Sequence, residues 1–388
     1  MPHQVALIAQ ADYEPESLSD SISRSIDLAG FDLAAVRGRR VLLKPNMLGA
    51  YPPHMGVTTH PAFVEATARI FKEAGAKVAV GDSPNGVHPI SQAWEVSGIR
   101  EACLRAGVPE VQFEASGGSE RGGLMISNAA LQADILVNLP KFKTHSLTVL
   151  TLAVKNLFGC INGMQKSGHH RRHPDRYSFA ELLVRVADIL RPALTIMDGV
   201  VAMEGNGPSA GKLINLGVIA AGTDAHVLDA ACANLVGLDP LELETLAIAS
   251  RKGLYNPSDS IDIVGDPLEQ LRPRRFALPV TYTRGMLDWR ISRLVMNRIW
   301  SGTSAQPVIS PKRCRLCGLC VEACPVDAIA QADPERPPRI EPRRCVQCFC
   351  CHEVCPHKAI DLKQSLAVRI DRWTIGLRSW WAQKGRNR

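Results

Sequence analysis

The 388-residue sequence lacks an apolar run long enough to span a bilayer, and its first residues lack the charged-then-apolar pattern of a secretory signal. It also lacks the Gly-x-Gly-x-x-Gly fingerprint of dinucleotide-binding folds, the Gly-x-Ser-x-Gly of serine hydrolases and the Gly-Lys-Ser/Thr ending of a P-loop. The missing motifs argue against a dinucleotide-dependent enzyme, a serine hydrolase and a P-loop nucleotide-binding protein. The missing apolar run and signal pattern predict a cytoplasmic protein. Hydrophobic residues make up 46% of the chain, which suffices for a packed core and excludes wholesale disorder.

Positive charge is concentrated toward the end of the chain. Residues 281–388 hold 19 Lys and Arg against 9 Asp and Glu, so residues 1–280 carry a net charge of −3 although the whole chain carries +7. Arg and aromatic residues interleave in this basic part, but no recognisable nucleic-acid-binding module is present. We therefore expect no nucleic-acid partner.

Nine of the 12 cysteines lie between positions 314 and 355. Clustered thiols in a chain without a secretory signal indicate metal binding in a reducing compartment rather than a disulfide framework. They form two runs of the pattern C-x2-C-x2-C-x3-C-P, offset by 31 residues. This is the pattern of bacterial two-cluster ferredoxins, in which the fourth Cys of each run ligates the other cluster.

The exchange of the fourth Cys between the two runs predicts the ligands of two [4Fe–4S] clusters. The first cluster is assigned Cys314, Cys317, Cys320 and Cys355, and the second Cys345, Cys348, Cys351 and Cys324. Two structural zinc sites are the alternative, but zinc sites usually show two C-x2-C pairs separated by a longer loop. Cys350 fits neither set and is expected to be an incidental free thiol.

Basic residues flank both runs: Lys312, Arg313, Arg315, Arg343 and Arg344. They would stabilise reduced clusters and attract an acidic electron-donor or electron-acceptor protein. A solvated rim without a partner is the alternative interpretation.

The first 270 residues are predicted to form an α/β domain with a mostly parallel sheet covered by helices on both faces. Short apolar runs at 4–9, 40–44, 77–81, 134–139, 193–197 and 261–264 alternate with helical patterns at 61–74, 179–190 and 225–236. A small α+β two-cluster ferredoxin-like domain follows at 306–363. Between them we place a linker helix region at 271–305, and after them a basic amphipathic tail at 364–388.

Polar residues follow four of the predicted strands, where open α/β sheets bind ligands. Lysines there suit phosphate or carboxylate, Asn side chains position a substrate, and carboxylates suit Mg²⁺ or acid–base chemistry. The predicted catalytic residues are Lys141, His145 and Asp198, with Glu204 as a further carboxylate. The predicted substrate-binding residues are Lys44, Asn46, Asp82, Lys143, Lys155 and Asn156.

Two flexible segments are predicted near this pocket. Residues 159–178 hold three His and four Lys or Arg, and they are interpreted as a mobile cationic lid, with a plain surface loop as the alternative. Gly205-x-Gly207-Pro208 marks a second loop after a strand. The tail spaces Leu366, Ile370 and Trp373 as an amphipathic helix would, which indicates either contact with a membrane surface or acidic partner, or a clamp between the domains.

Several segments of the first part resemble domain-of-unknown-function family 362. These are VLLKPN at 41–46, TTHP at 58–61, GDSP at 81–84, NLPKFKTH at 138–145, VKNLFG at 154–159 and MDG at 197–199. Many members are labelled uncharacterised iron–sulfur center proteins and carry a C-terminal two-cluster ferredoxin module. The resemblance places every predicted catalytic and substrate-binding residue at a family motif position but implies no reaction for them.

These observations predict an iron–sulfur oxidoreductase. Low-potential electrons would pass through the two clusters to an anionic small molecule in the Lys-rich pocket. The alternative is a non-catalytic electron carrier or assembly factor that docks a protein partner. A ligase or transferase that uses Mg²⁺ at Asp198 and Glu204, with structural clusters, is a third hypothesis.

Overall fold

One ten-stranded sheet forms the centre of the computed structural model, which describes residues 3–87, 89–282 and 305–364. The strands in this part of the chain are β1 (His3–Ala9), β2 (Arg40–Pro45), β3 (Lys77–Asp82), β4 (Glu110–Gln112), β5 (Gly118–Arg121), β6 (Leu124–Ser127), β7 (Ile135–Leu139), β8 (Lys141–His145), β9 (Val149–Thr151), β10 (Leu194–Glu204), β11 (Lys212–Gly222) and β12 (Ile261–Gly265). Strands β5 and β6 form a separate hairpin.

The main path of the sheet has the order β12-β1-β11-β10-β7-β2-β3-β4, and β8 pairs with β10 and β9 beside it. The pairs from β10 through β7, β2 and β3 to β4 are parallel, as are β1 with β12 and β10 with β8. Only β11, against β1 and β10, and β9, against β8, pair antiparallel within the described sheet. The prediction of a mostly parallel sheet is confirmed.

Helices cover both faces of the sheet. They are α1 (Pro15–Leu28), α2 (Pro61–Glu73), α3 (Ile90–Val96), α4 (Ile99–Ala106), α5 (Asn128–Gln132), α6 (Ala153–Asn156), α7 (Gly163–Arg172), α8 (Arg176–Leu190), α9 (Ala225–Leu235), α10 (Glu244–Arg251) and α11 (Leu268–Leu271), with 3-10 turns at Leu33–Val36, Pro53–Met55, Leu157–Cys160 and Pro240–Glu242. Neighbouring residues of one strand point to opposite faces of the sheet and pack into different cores. Leu7 packs in the core that contains α8 and α9, and Ile8 packs in the core that contains α1 and α2. This two-sided burial explains why the strands are apolar throughout rather than alternating.

One long strand escapes the sequence analysis. β11 contains Gly217 at a φ of +69°, opposite a register shift between Gly199 and Val201 of β10. A glycine with positive φ is typical of a β-bulge, and it interrupts the apolar pattern by which strands are found. The predicted strand at 193–197 is correspondingly short, because β10 continues through its polar residues to Glu204.

The cysteine-rich part is a small α+β unit. It contains β13 (Gln306–Ile309), α12 (Leu319–Glu322), β14 (Ile329–Ala330), β15 (Arg339–Ile340), α13 (Cys350–Val354) and β16 (Ile360–Lys363). Strand β13 pairs antiparallel with β16, and β14 pairs antiparallel with β15. The fold class predicted for residues 306–363 is therefore also observed.

The two halves of this unit repeat each other in backbone conformation. Leu316 and Gln347 have positive φ, as do Asp327 and Lys358, and each pair is separated by the 31 residues of the sequence repeat. The amide of Ala328 donates to Cys324 Sγ at 3.2 Å, and the amide of Ala359 donates to Cys355 Sγ at the same distance. The repeat seen in the sequence is thus a repeat in space.

The predicted linker helix and most of the amphipathic tail lie outside the described residues, so their boundaries and roles remain predictions. Among the residues that the structure describes, no helix combines the length and apolar character needed to cross a membrane.

Candidate functional site

The ends of β2 and β3 bring a lysine and a carboxylate into a buried ion pair. Lys44 Nζ lies 2.8 Å from Asp82 Oδ1, and both side chains are almost completely shielded from solvent. Asp82 also accepts hydrogen bonds from the amides of Met47 and Ser83, each at 2.8 Å. The carboxylate therefore holds the loops after both strands in place.

A second buried pair joins β8 to β10. Lys141 Nζ donates to Asp198 Oδ2 at 2.8 Å and to the Tyr13 hydroxyl at 2.7 Å. Tyr13 in turn donates to Asp198 Oδ1 at 2.8 Å, and the amide of His60 donates to Oδ2 at 2.9 Å. Burial lowers the pKa of Lys141, and Asp198 opposes that shift. All four groups form one closed network.

An amide chain connects these strand ends. Asn46 Nδ2 donates to Asn156 Oδ1 at 2.8 Å, and Asn156 Nδ2 donates to Asn138 Oδ1 at 2.8 Å. Asn46 Oδ1 is buried and has no hydrogen-bonding partner within the described residues. Buried polar atoms in proteins usually have a hydrogen-bonding partner, so the missing partner of Asn46 Oδ1 is unusual.

The predicted residues are brought together, but not as an open Lys-rich pocket. Lys44 and Lys141 are neutralised by carboxylates, and Lys143 Nζ donates to the Val57 carbonyl at 2.5 Å. A cavity of about 490 Å³ beside α9 and β12 contains none of the predicted site residues. In the structure these three lysines contact groups of the protein interior, and their role in substrate binding stays a prediction.

The magnesium hypothesis receives no support from the geometry. Both oxygens of Asp198 are used by Lys141, Tyr13 and His60, while Glu204 Oε2 accepts from the amide of Ala277 at 2.9 Å. Across the described ranges, no three His, Cys, Asp or Glu side chains converge on a position suited to a single metal ion.

Gly159 lies directly against the Lys44–Asp82 pair. A Cβ there would sit 2.5 Å from Lys44 Nζ and closer still to Asp82 Oδ1. We expect Gly159→Ala to destabilise the protein by about 1–3 kcal/mol, because the added methyl forces a tightly packed pair apart.

Gly168→Ala is the matched control for this change. Gly168 lies in α7, where an added Cβ would meet only Arg172 at 3.5 Å, so alanine should be neutral or slightly stabilising. Chemical denaturation of both variants under anaerobic conditions measures the difference. Equal denaturation midpoints for the Gly159 and Gly168 variants would show that the space around the Lys44–Asp82 pair can accommodate a methyl group.

The remaining predicted residues meet the cysteine-rich unit. His145, at the end of β8, places Nε2 3.1 Å from Glu353 Oε1, a residue of α13. Its Nδ1 accepts from the amides of Leu147 and Thr148, so the ring hydrogen lies on Nε2 and faces the carboxylate. Burial lowers the pKa of His145 to about 4, against the opposing influence of Glu353, so the ring is neutral at pH 7.

Lys155 lies beside two aromatic rings near this contact. Its Nζ lies 5.5 Å from the ring centroid of Phe158 and 5.8 Å from that of Phe179. It makes no hydrogen bond or ion pair within the described residues, and its side chain is only partly buried. Burial lowers its pKa, and the charges of Glu353 and Cys350 act against that shift. Burial, followed by the charge of Lys155, also lowers the pKa of Lys143 to about 7.

The segment predicted as a lid is not a plain loop, because α7 occupies half of it and α8 begins within it. His169 and His170 are buried, and His170 stacks on Phe179 with ring centroids 4.4 Å apart. Lys166 Nζ contacts the Ser83 carbonyl and lies 3.0 Å from the Ser83 hydroxyl. The segment therefore lies over the strand ends, as expected, but through packed aromatic and polar contacts.

The Gly205 loop docks the cysteine-rich unit. The main-chain carbonyl of Glu353 accepts from the Tyr51 hydroxyl at 2.7 Å and from the Ser209 hydroxyl at 2.8 Å. His352 Nε2 lies 3.1 Å from the Asn206 carbonyl. Two consecutive residues of α13 thus anchor this unit at the carboxyl end of the sheet.

Cysteines of both runs lie close to one another in the cysteine-rich unit. Cys314, Cys317, Cys320 and Cys355 line one cavity, although they come from both runs. Burial, followed by the nearby charges of Cys348, Cys345, Cys320 and Cys324, raises the pKa of Cys351, so thiols of both runs surround this residue. Crowded thiols of this kind become thiolates when iron supplies the compensating charge, and the division of these cysteines between two cubane clusters stays a prediction.

Comparison with known proteins agrees with this geometry. The model of 4Fe-4S dicluster domains matches residues 306–356, so the fold and the cysteines define an iron–sulfur electron-transfer protein. The model described as Domain of unknown function (DUF362) matches residues 41–234. The chain belongs to this family, as its strand-end motifs predicted.

A thylakoid-associated protein from Synechocystis sp. is 36% identical over 275 residues, which cover 66% of this chain and 82% of that protein. Two solved structures are more distant. The lactate racemase apoprotein from Thermoanaerobacterium thermosaccharolyticum has a TM-score of 0.39 and 16% identity over 60% of this chain and 57% of its own. A protein from Thermotoga maritima has a TM-score of 0.33 and 14% identity over 50% and 52%.

Several residues of the site escaped the sequence analysis. Tyr13 is an isolated residue in a loop, and its partner Asp198 is 185 positions away. Glu353 lies within the second cysteine run, but its contact with His145 depends on how the two parts dock. Tyr13 has no signal in the sequence pattern, and Glu353 is marked only because Glu322 occupies the equivalent position of the first cysteine run, 31 residues earlier.

Proposed function

We propose that this protein is an iron–sulfur oxidoreductase that binds a small anionic substrate between the sheet and α13. An external electron-transfer protein with an acidic face is oxidised, and the bound small molecule is reduced. Bound clusters, two in the predicted ligand sets, supply one-electron transfer. The chain's own residues supply the charge, shape and orientation at the place where the substrate is held.

The single observation that carries this proposal is the contact of His145 with Glu353. Glu353 is two residues from Cys351 and two from Cys355, which belong to different predicted cluster sets. Its side chain lies 3.1 Å from a predicted catalytic residue of the large domain. A site next to His145 is therefore adjacent to the cysteine loops, which supports direct electron exchange.

The buried pairs have a supporting role in this scheme. Lys44–Asp82 and Lys141–Asp198 hold the loops at the strand ends, while Lys155 attracts the negative substrate. The neutral His145 accepts hydrogen bonds at Nδ1 and contacts Glu353 through Nε2 at 3.1 Å, so both ring nitrogens have a neighbour that fixes the orientation of the ring. A fixed cation near a preorganised neutral ring suits the binding and reduction of an anion.

The exposed side of the cysteine-rich unit suits the proposed partner. Leu316 is 36% exposed, Cys317 is exposed beside it, and Lys312 and Arg315 surround them. This combination of apolar contact and positive rim favours an acidic redox protein. The name of the thylakoid-associated relative also supports the predicted membrane-surface contact of the basic tail, which lies beyond the described residues.

The test begins with the anaerobically purified full chain, reduced chemically and then mixed with a panel of small carboxylates and oxyanions. We expect at least one compound to restore the visible absorbance of oxidised clusters. Lys155→Met should slow this re-oxidation about tenfold or more, because the attracting charge is lost.

Lys252→Met, at an exposed position after α10, is the matched control and should leave the rate unchanged. If no compound re-oxidises the protein while an acidic redox protein does so rapidly, the protein is an electron carrier and not the proposed enzyme.

A further inference from the structure

The cavity beside α9 and β12 has no part in the proposed function. It encloses about 490 Å³, and a smaller cavity of about 140 Å³ shares Tyr255, Asp259 and Ile261 with it. Small-molecule sites in proteins usually enclose about 300–1,000 Å³, so the larger cavity has a suitable size. All the residues that line both cavities lie between positions 224 and 268, so they belong to the large domain alone.

Apolar side chains form most of the lining of the larger cavity. Ile261 and Ile263 border it from β12, and Ala231 borders it from α9. Leu241, in the 3-10 turn before α10, also borders it and is 44% exposed, one of three large hydrophobic side chains so exposed among the described residues. A mostly apolar lining with a few polar groups is typical of sites for organic molecules.

Tyr255 brings a polar group without a partner to both cavities. The residue is only 8% exposed and borders the larger and the smaller cavity alike. Within residues 3–87, 89–282 and 305–364, its hydroxyl makes no hydrogen bond. The hydroxyl of a tyrosine buried to this extent usually has a partner. Its absence indicates that a ligand in the cavity supplies one.

Two carboxylates stand at the mouth of the larger cavity. Asp239 Oδ1 accepts from the amide of Leu241 at 2.9 Å, and Asp259 Oδ1 accepts from Asn256 Nδ2 at 2.7 Å. Neither carboxylate forms an ion pair in the part of the chain that the structure describes, so no nearby cation balances them there. Burial, followed by the charges of Asp239 and Asp259, raises the pKa of Tyr255, so both charges act on its hydroxyl.

These features restrict the chemistry of the ligand. Two carboxylates repel an anion, and a neutral apolar molecule would leave both charges unpaired. A lone metal ion fits poorly, because nowhere in the described chain do three His, Cys, Asp or Glu side chains converge on one position. A protonated amine donates hydrogen bonds to carboxylates and to a hydroxyl, and it is attracted to the face of an aromatic ring.

We infer that this cavity binds a small organic cation, namely a protonated amine that carries an apolar body. The ammonium group binds at Asp239, Asp259 and Tyr255, and the apolar body packs against the isoleucines of β12. The inference does not rest on the proposed function, because the cavity shares no residue with the strand-end site or with the cysteine-rich unit.

The test is isothermal titration calorimetry on the full, cluster-loaded chain under anaerobic conditions and without an electron donor. Tryptamine is the probe, N-acetyltryptamine has the same ring without the charge, and indole-3-propionate reverses the charge. Tryptamine should bind saturably at one site per chain and about ten times more tightly than N-acetyltryptamine, and indole-3-propionate should not bind. Equal binding of tryptamine and N-acetyltryptamine, or no saturable binding of tryptamine, would overturn the inference.

Two sets of changes assign the binding to the proposed residues. Tyr255→Phe keeps the ring but removes the hydroxyl, so it should weaken tryptamine binding about threefold to tenfold. Asp239→Asn combined with Asp259→Asn should weaken it about tenfold or more, because both charges are lost while the acceptor oxygens of the turns remain. Tryptamine binding that neither set changes would place the amine elsewhere and contradict the inference.

Asp262→Asn is the matched control for the loss of charge. Asp262 lies in β12 between Ile261 and Ile263, so its side chain points away from the cavity that these neighbours line. This variant should bind tryptamine as the unchanged chain does. If it weakens binding as much as the double Asp variant, the attraction comes from the general negative charge of the surface, and the inference fails.

Discussion

Replacing Cys324 with alanine should remove about half of the iron, from about eight atoms per chain to about four. Cys324 is the fourth Cys of the first run but is predicted to ligate the cluster of Cys345, Cys348 and Cys351, and its charge acts on both Cys345 and Cys351. A cubane that loses one of four thiolate ligands is expected to be lost or to become labile. Iron analysis and electron paramagnetic resonance of the reduced protein measure the result.

Double variants decide whether the ligands cross between the runs. Cys324→Ala combined with Cys345→Ala should lose no more iron than either single variant, because both changes affect one cluster. Cys324→Ala combined with Cys314→Ala should lose nearly all iron, because two clusters are affected. The opposite result would show that each run ligates its own cluster.

Cys350→Ala is the matched control for these losses. Cys350 is adjacent to Cys351 and is raised in pKa by a hydrogen bond with Cys348 and by burial, but it belongs to neither predicted set. It should keep full iron content. Iron loss equal to that of Cys324→Ala would make Cys350 a ligand and contradict the predicted assignment.

The sequence predicts the parts of the fold whose side chains are buried on both sides. Strands β2, β3 and β7 are continuous apolar runs between helices, and their predicted ends differ from the observed ones by one residue. Strand β8 (KFKTH) resembles a loop because it contains two lysines and a histidine. It forms a strand because Lys141 and His145 find carboxylates on other elements, an effect that no local pattern contains.

The candidate site, like the fold, is predicted from the sequence only in part. Motifs at strand ends correctly identify residues that meet in space, since parallel strands deliver their carboxyl ends to one edge of the sheet. Sequence alone cannot tell a lysine with a carboxylate partner inside the protein, such as Lys44, from one that lies beside aromatic rings without such a partner among the described residues, such as Lys155. That distinction depends on carboxylates and aromatic rings brought from distant parts of the chain, including α13 of the docked unit.

Lys141→Met should destabilise the large domain by about 3–5 kcal/mol, because it leaves the Asp198 carboxylate buried without its cation. The pair is 1% and 0% exposed, and the hydroxyl of Tyr13 cannot replace the lost positive charge. At about 2–4 °C per kcal/mol for a domain of this size, the thermal midpoint should fall by roughly ten degrees.

Arg40→Met is the control. Arg40 and Asp134 also lie 2.8 Å apart but are exposed to solvent, so the loss of this ion pair should hardly change the thermal midpoint. Asp198→Leu added to Lys141→Met should restore much of the stability by removing the isolated charge. Equal midpoints for the Lys141 and Arg40 variants would show that burial of the ion pair does not determine its contribution.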